Sequence, residues 1–246
     1  MLQKTRGIVL RSVKYGETSL ICTIFTDIYG VQSYMVQGIR SSSKTKQSRA
    51  GLLQPATLLD MVVYYKPQAN LQRIREFQPA YIYQSLQEHV VKNSIALFSV
   101  ELLLRLLPEH APMPELFDIA FEYFCSLDAV DAHATGNYPV YFLSACCNIL
   151  GYNINGRYTP VTPHLNLQEG GFTAQLPAER PFVPDEDAMM LDKLLQVQHI
   201  SEIAAIELNG AARFRLLDWL LTFMHNHTQH MGEIRSLPVL RAVLHA

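Results

Sequence analysis

The chain has little of what marks several large protein classes. Its four cysteines, Cys22, Cys125, Cys146 and Cys147, follow no framework spacing and lie in apolar sequence, which argues against a disulfide-stapled secreted domain. Adjacent Cys146 and Cys147 would diverge on a helix and read as small core residues. The longest apolar stretch, Ile95 to Leu107, contains Glu101 and Arg105 and is too short to cross a bilayer, so it reads as a buried helix with no membrane role. Met1 to Leu20 is charged and lacks the apolar core of a secretory signal, so a cytoplasmic, nucleoid-associated location is expected. No G-x-S-x-G elbow, phosphate-binding Gly loop, H-E-x-x-H or G-x-G-x-x-G is present, and neither an enzyme nor a cofactor is expected. The one metal-like run is His225-Asn226-His227-Thr228-Gln229-His230. His227 and His230 could share a helix face there, but no carboxylate or cysteine completes a ligand set, so the run reads as a polar helix end and no metal is expected.

Hydrophobic residues make up 49% and charged residues 17%, a composition that buries a core, and the length suits two modest domains. The net charge of −2 hides an uneven division. Residues 1–80 hold eleven Lys and Arg against Glu17, Asp27, Asp60 and Glu76, a balance of +7, which leaves −9 for the remainder. Charge of opposite sign in the two parts points to two different tasks.

Thr5 to Val13, Ser19 to Thr26 and Val31 to Ile39 are β-rich and separated by turn signals at Tyr15-Gly16-Glu17 and Asp27-Ile28-Tyr29-Gly30. Leu58 to Tyr65 and Leu71 to Phe77 flank the turn Pro67 to Asn70. Five strands in residues 1–80 predict a small closed barrel of the OB-fold kind. Arg40 to Arg49 has no apolar residue and four positive charges, so it is expected to be a solvated loop.

From residue 81 onward the period changes to three and four, with Leu86, Val90, Ile95, Phe98, Leu102 and Leu106 as the first stripe. Further helices are expected from Pro114 to Leu127, Tyr141 to Leu150, Asp185 to Val197 and Asn209 to His227. A hairpin around Glu169-Gly170-Gly171 interrupts them. The expected class is α+β: a barrel over 1–80, then a helical domain over 81–246 with a hairpin insertion at about 153–180.

The concentration of charge makes Arg6, Arg11, Lys14, Arg40, Lys44, Lys46, Arg49, Lys66, Arg73 and Arg75 candidate phosphate contacts. Tyr15, Tyr34 and Tyr64, among other rings near these charges, are candidates for base stacking or for barrel core. A basic barrel could instead grip an acidic protein surface, which makes an interaction scaffold the rival reading. A metal-dependent nuclease would need clustered carboxylates, and the four acids of residues 1–80 are dispersed.

The ordered set Gly7 to Ile21 with its Tyr15-Gly16-Glu17-Thr18 core, Phe25-Thr26, Tyr29-Gly30, Gln37-Gly38-Ile39-Arg40, Leu53-Gln54-Pro55, Leu150-Gly151-Tyr152 and Ser236 to Leu240 resembles the bacterial RecO family along essentially the whole chain. The resemblance implies binding of single- and double-stranded DNA, annealing of complementary strands, and contact with the tail of single-stranded-DNA-binding protein. It also implies action with RecR to load RecA. An acidic tail ending in apolar residues would want a pocket rimmed by arginine, for which Arg213 and Arg215 are candidates. Two departures matter. Many members carry paired cysteines around the hairpin for a structural zinc, whereas Gly156 to Glu179 contains none; and Gln37 stands where members often have lysine.

Overall fold

The computed structural model describes residues 2–39, 49–178, 182–228 and 231–245. Two compact units arise, Met1–Gln84 with Leu106–Asp128, and Ser85–Arg105 with Ala129–Ala246.

The first unit is an OB-fold barrel. Its strands are β1 (Leu2–Tyr15), β2 (Ser19–Thr26), β3 (Gly30–Val36), β4 (Leu58–Tyr64) and β5 (Gln72–Pro79), closed in the order β1-β2-β3-β5-β4. β1 serves two neighbours: Leu2 to Ile8 pairs with β4 and Gly7 to Tyr15 with β2, both antiparallel. The changeover occurs at Gly7, where a Cβ would stand 2.6 Å from Ile24 Cγ2 and 2.6 Å from Met61 Cε, so a larger residue would force these core side chains to shift. Closure is completed by a short parallel seam, Tyr34 against Gln72 and Met35 against Arg73. Inward alternation places Val9, Cys22, Ile24, Tyr34, Leu59, Met61, Val63 and Phe77 in one core.

Two bulges re-aim the strands. Leu10 is the extra residue between Val9↔Ile24 and Arg11↔Thr23, so Val9 and Leu10 are both buried while Arg11 emerges. Arg75 is the extra residue between Val62↔Glu76 and Val63↔Ile74.

Helix α2 (Pro114–Ala129) lies almost wholly within the barrel's own compact unit, although α1 (Val90–Leu106) separates the two in sequence. Phe117 meets Phe25 edge to face at 5.5 Å. Asp128, at the helix end, accepts the Gln84 backbone N–H at 2.9 Å and the Tyr81 hydroxyl at 3.3 Å, which fixes the chain leaving β5.

The second unit is helical, with α1, α3 (Tyr138–Ile149), α4 (Asp185–Leu195), α5 (Gly210–His227) and α6 (Leu237–His245). A small sheet of β6 (His164–Asn166), β7 (Gly171–Thr173) and β8 (Phe182–Val183), in the order β7-β6-β8, interrupts it. The expected hairpin is therefore present and gains a third strand. The acids of α4 anchor this excursion: Asp185 accepts from the Tyr158 hydroxyl at 2.6 Å, and Asp192 takes Arg157 through two contacts of 2.9 and 3.2 Å. Helix α6 was not expected from the sequence, although Pro238 near its start and the apolar residues Val239, Leu240, Val243 and Leu244 carry the signal.

Candidate nucleic-acid interface

The predicted cations divide into three sets. Arg49, Arg73 and Arg75 converge, with Tyr64, on one barrel groove of about 320 Å³ whose apolar lining includes Ile39, Ile74 and Phe77. The seam between β3 and β5 generates this groove, since Arg73 faces Met35 on one side and Tyr64 on the other. All three arginines are exposed, and the Arg49 guanidinium stands 5.1 Å from the Phe77 ring centre, a cation–π contact that orients it. Tyr64 is 44% exposed and offers a ring face on the outer wall.

A second set is exposed elsewhere on the barrel. Arg11 emerges beyond the β1 bulge, and Lys14 and Tyr15 stand at the first hairpin, with Tyr15 53% exposed. Lys66 opens the turn between β4 and β5. That turn is built by the side chain of Gln72, a residue only 2% exposed, which accepts from Lys66 N at 2.9 Å and donates to the carbonyls of Lys66 and Ala69 at 2.8 Å. Sequence reasoning missed Gln72, whose only signal is a polar residue at an inward position of a strand. Arg40, Lys44 and Lys46 lie outside the described residues.

The third set consists of residues whose geometry corrects the expectation. Arg6 is committed internally: Nε meets Asp27 at 3.2 Å, Nη2 meets Asp118 at 2.8 Å, and the guanidinium lies 5.0 Å from the Phe117 ring centre. Burial lowers its pKa, but hydrogen bonds and charge from Asp118 and Asp27 outweigh that and hold it above the ordinary value. Arg6 is thus a bolt between barrel and α2. It also lines a concavity of about 630 Å³, where Asp27, Asp60 and Glu76 offset Lys4, Arg6 and Arg49 and leave no net charge to attract phosphate. Tyr34 is completely buried in the barrel core, where burial raises its phenol pKa, and it has no face to give a base. Tyr29 and Tyr65 stack on each other at 3.8 Å.

In the helical unit Arg213 and Arg215 do not converge. Arg215 forks onto Asp187 with contacts of 2.8 and 3.0 Å, and Trp219 Nε1 adds a third donor at 3.2 Å. Burial works to raise the Asp187 pKa, but these partners outweigh it and lower it. Arg213 instead lines a concavity of about 470 Å³ with His133, Leu208 and Asn209, its Nε donating to Asn137 Oδ1 at 2.8 Å. Burial lowers its pKa.

Metal chemistry finds no donor set among the described residues, where no three His, Cys, Asp or Glu side chains converge. A tetrahedral zinc site does not fit the hairpin, whose polar anchors are the Arg157–Asp192 and Tyr158–Asp185 contacts. His227 is turned to the Leu167 carbonyl at 3.0 Å, and His230 lies outside the described residues. Burial pushes the Cys147 thiol up to about 12 and the Cys125 thiol up to about 11, the latter also beside Asp128 and Glu122, so neither is an activated nucleophile. No helix among the described residues is long and apolar enough to cross a membrane.

A closed five-stranded barrel with an arginine-lined seam places the chain among OB-fold proteins, an architecture that binds oligonucleotides and oligosaccharides. Comparison with known families narrows this. The model of the recombination protein O N-terminal domain matches residues 1–83 and that of its C-terminal domain matches residues 87–238, so the chain belongs to the RecO family. The DNA repair protein RecO of Phocaeicola vulgatus is 29% identical over 245 residues, covering 98% of both chains. Those of Bacteroides fragilis and Christiangramia forsetii are 28% and 26% identical, covering 98% and 99% of both chains respectively. This is a DNA repair family, and these relatives are aligned along their whole length.

Proposed function

We propose that the protein is a non-enzymatic recombination mediator that binds single-stranded DNA on its barrel, anneals complementary strands, and assists RecA loading with RecR on strands coated by single-stranded-DNA-binding protein. The observation that carries this reading is the groove in which Arg49, Arg73 and Arg75 surround an exposed Tyr64, joining phosphate attraction to a stacking surface. Annealing follows physically: cations spread over the barrel neutralise two strands at once and remove the repulsion that opposes their approach. Duplex DNA meets the same cations without offering bases. The concavity lined by half-buried Arg213 is a candidate place in the helical unit for an acidic partner tail, since Arg213 donates there to Asn137 and among the described residues bonds no carboxylate, although Glu207 also lines the site.

The test is the rate at which labelled complementary strands pair. The full chain should accelerate pairing, and joint replacement of Arg40, Lys44, Lys46 and Arg49 by alanine should slow it severalfold. No acceleration by the unaltered protein would overturn the reading.

A further inference from the structure

Strand register arranges an unusual set of side chains on the outside of the barrel. Val13 faces Ile21, Ile21 faces Met35, Met35 faces Arg73, Arg73 faces Tyr64, and Tyr64 faces Leu2. One lateral row thus crosses all five strands and returns to β1 eleven positions from its start, the stagger expected of a closed barrel. Pleating fixes the side. The flanking positions, Cys22, Tyr34 and Gln72 on one side and Leu20, Val36 and Val63 on the other, are buried, while Val13, Tyr64 and Leu2 are 44%, 44% and 42% exposed, with Ile21 and Met35 half-buried.

An outward row of a small barrel is ordinarily polar, because only the inner face needs to be apolar. Here five of six members are apolar or aromatic, and the sixth is Arg73. The chain positions two residues away from its members carry Arg11, Lys4 and Lys66, Arg75 bulges out beside Arg73, and the register sets Glu76 opposite Val62. An apolar belt whose charged border is mostly cationic complements a polyanion that exposes apolar faces. A neutral protein surface would not call for the cations.

We propose that this belt is the element by which the barrel distinguishes an unpaired strand from a duplex, a proposal that rests on the DNA-binding reading above. Bases of a single strand lie on Val13, Ile21, Met35 and Tyr64, while its phosphates meet Arg73 and the bordering cations. In a duplex the base faces are stacked on each other, so the belt contributes nothing and the cations alone bind. Five steps of about 5 Å give a path of roughly 25 Å, on the scale of the ~4 nucleotides that small barrels hold at the lower end of their range.

The experiment compares the affinity of the full chain for a fluorescent single strand and for the same sequence as duplex, each across a salt series. Tyr64→Ala should weaken single-strand binding about 5- to 100-fold and duplex binding less than about twofold, with both salt slopes unchanged. Tyr64→Phe should restore single-strand affinity, because stacking needs the ring and not the hydroxyl. Val13→Ser, on another strand and equally exposed, should show the same selective loss, and it carries the test if Tyr64→Ala does not fold. Equal losses for both DNA forms, or no loss for either, would overturn the belt and leave the DNA-binding reading standing. Belt variants that change only the oligomeric state would assign the row to a protein interface and overturn it too. If the unaltered protein binds neither form, both readings fall together.

Discussion

At the scale of single residues, the chain separates cations that hold the fold from cations free to meet phosphate. Arg6 and Arg215 each satisfy a carboxylate, whereas Arg11, Arg73 and Arg75 are exposed. Alanine at Arg6 is therefore expected to cost stability, by about 1–2 kcal/mol after allowance for its partial exposure, and to leave the salt slope of DNA binding unchanged. Chemical denaturation and a binding titration measure the two effects separately. Gly30 is held by geometry: its φ is +64° and a Cβ would stand 2.2 Å from the Ala111 carbonyl oxygen. Gly30→Ala should destabilise by more than about 1 kcal/mol, and a melting temperature equal to that of the unaltered protein would contradict the close approach.

Glu101 gives a dependence on pH. Burial works to raise its pKa, but the Ser236 hydroxyl at 2.6 Å, the backbone N–H groups of Arg235 and Ser236, and Arg105 together lower it below the ordinary glutamate value. A carboxyl depressed in the folded state stabilises at pH values above its unfolded pKa, and that contribution is lost as pH falls through the folded value. Glu101→Gln should thus lower the melting temperature at neutral pH and narrow the gap from the unaltered protein below about pH 4. A gap that stays constant across that range would remove the carboxylate from the account.

At the scale of elements, the five strands were legible because β-branched and aromatic runs alternate with turn residues. Ser19 to Thr26 appears with the bounds read from the sequence. The face of a strand was less legible. In β3 Val31, Gln32, Tyr34 and Val36 are all buried, and no alternation in Gly30–Val36 shows which side Tyr34 takes; its cross-strand partner Cys22 settles that. The bulge at Arg75 is equally silent in sequence, because it depends on the register with β4. Pairings such as Arg215 with Asp187, 28 residues apart, follow from tertiary approach and left both arginines of α5 open in the sequence.

The hairpin excursion is held by polar side chains of α4 and of the chain that enters it. Asp192 has only 10% of its side chain exposed, and Arg157 closes over it. Arg157→Ala should cost about 1 kcal/mol and speed amide exchange in β6 and β7 while leaving the barrel strands unaffected. A metal chelator should leave the melting temperature of the unaltered protein where it is. A fall of several degrees with chelator would contradict the metal-free account of this sheet.

At the scale of the whole molecule, the opposed charges of the two chain segments were visible at once, as was the switch from strand to helix period. The compact units were less so, since Leu106–Asp128 belongs with the barrel although it lies beyond α1 in sequence. For this reason the decisive measurement uses the full chain. It is the affinity for a fluorescent single-stranded oligonucleotide across a salt series, for the unaltered protein and for the double variant Arg73→Ala/Arg75→Ala. Binding to unpaired DNA changes with salt by about −0.7 per neutralised phosphate on a log–log plot. Loss of two contacts should weaken binding and make the slope shallower by about 1.4. An unchanged slope and affinity would show that the groove between β3, β5 and β4 is not where the strand is held.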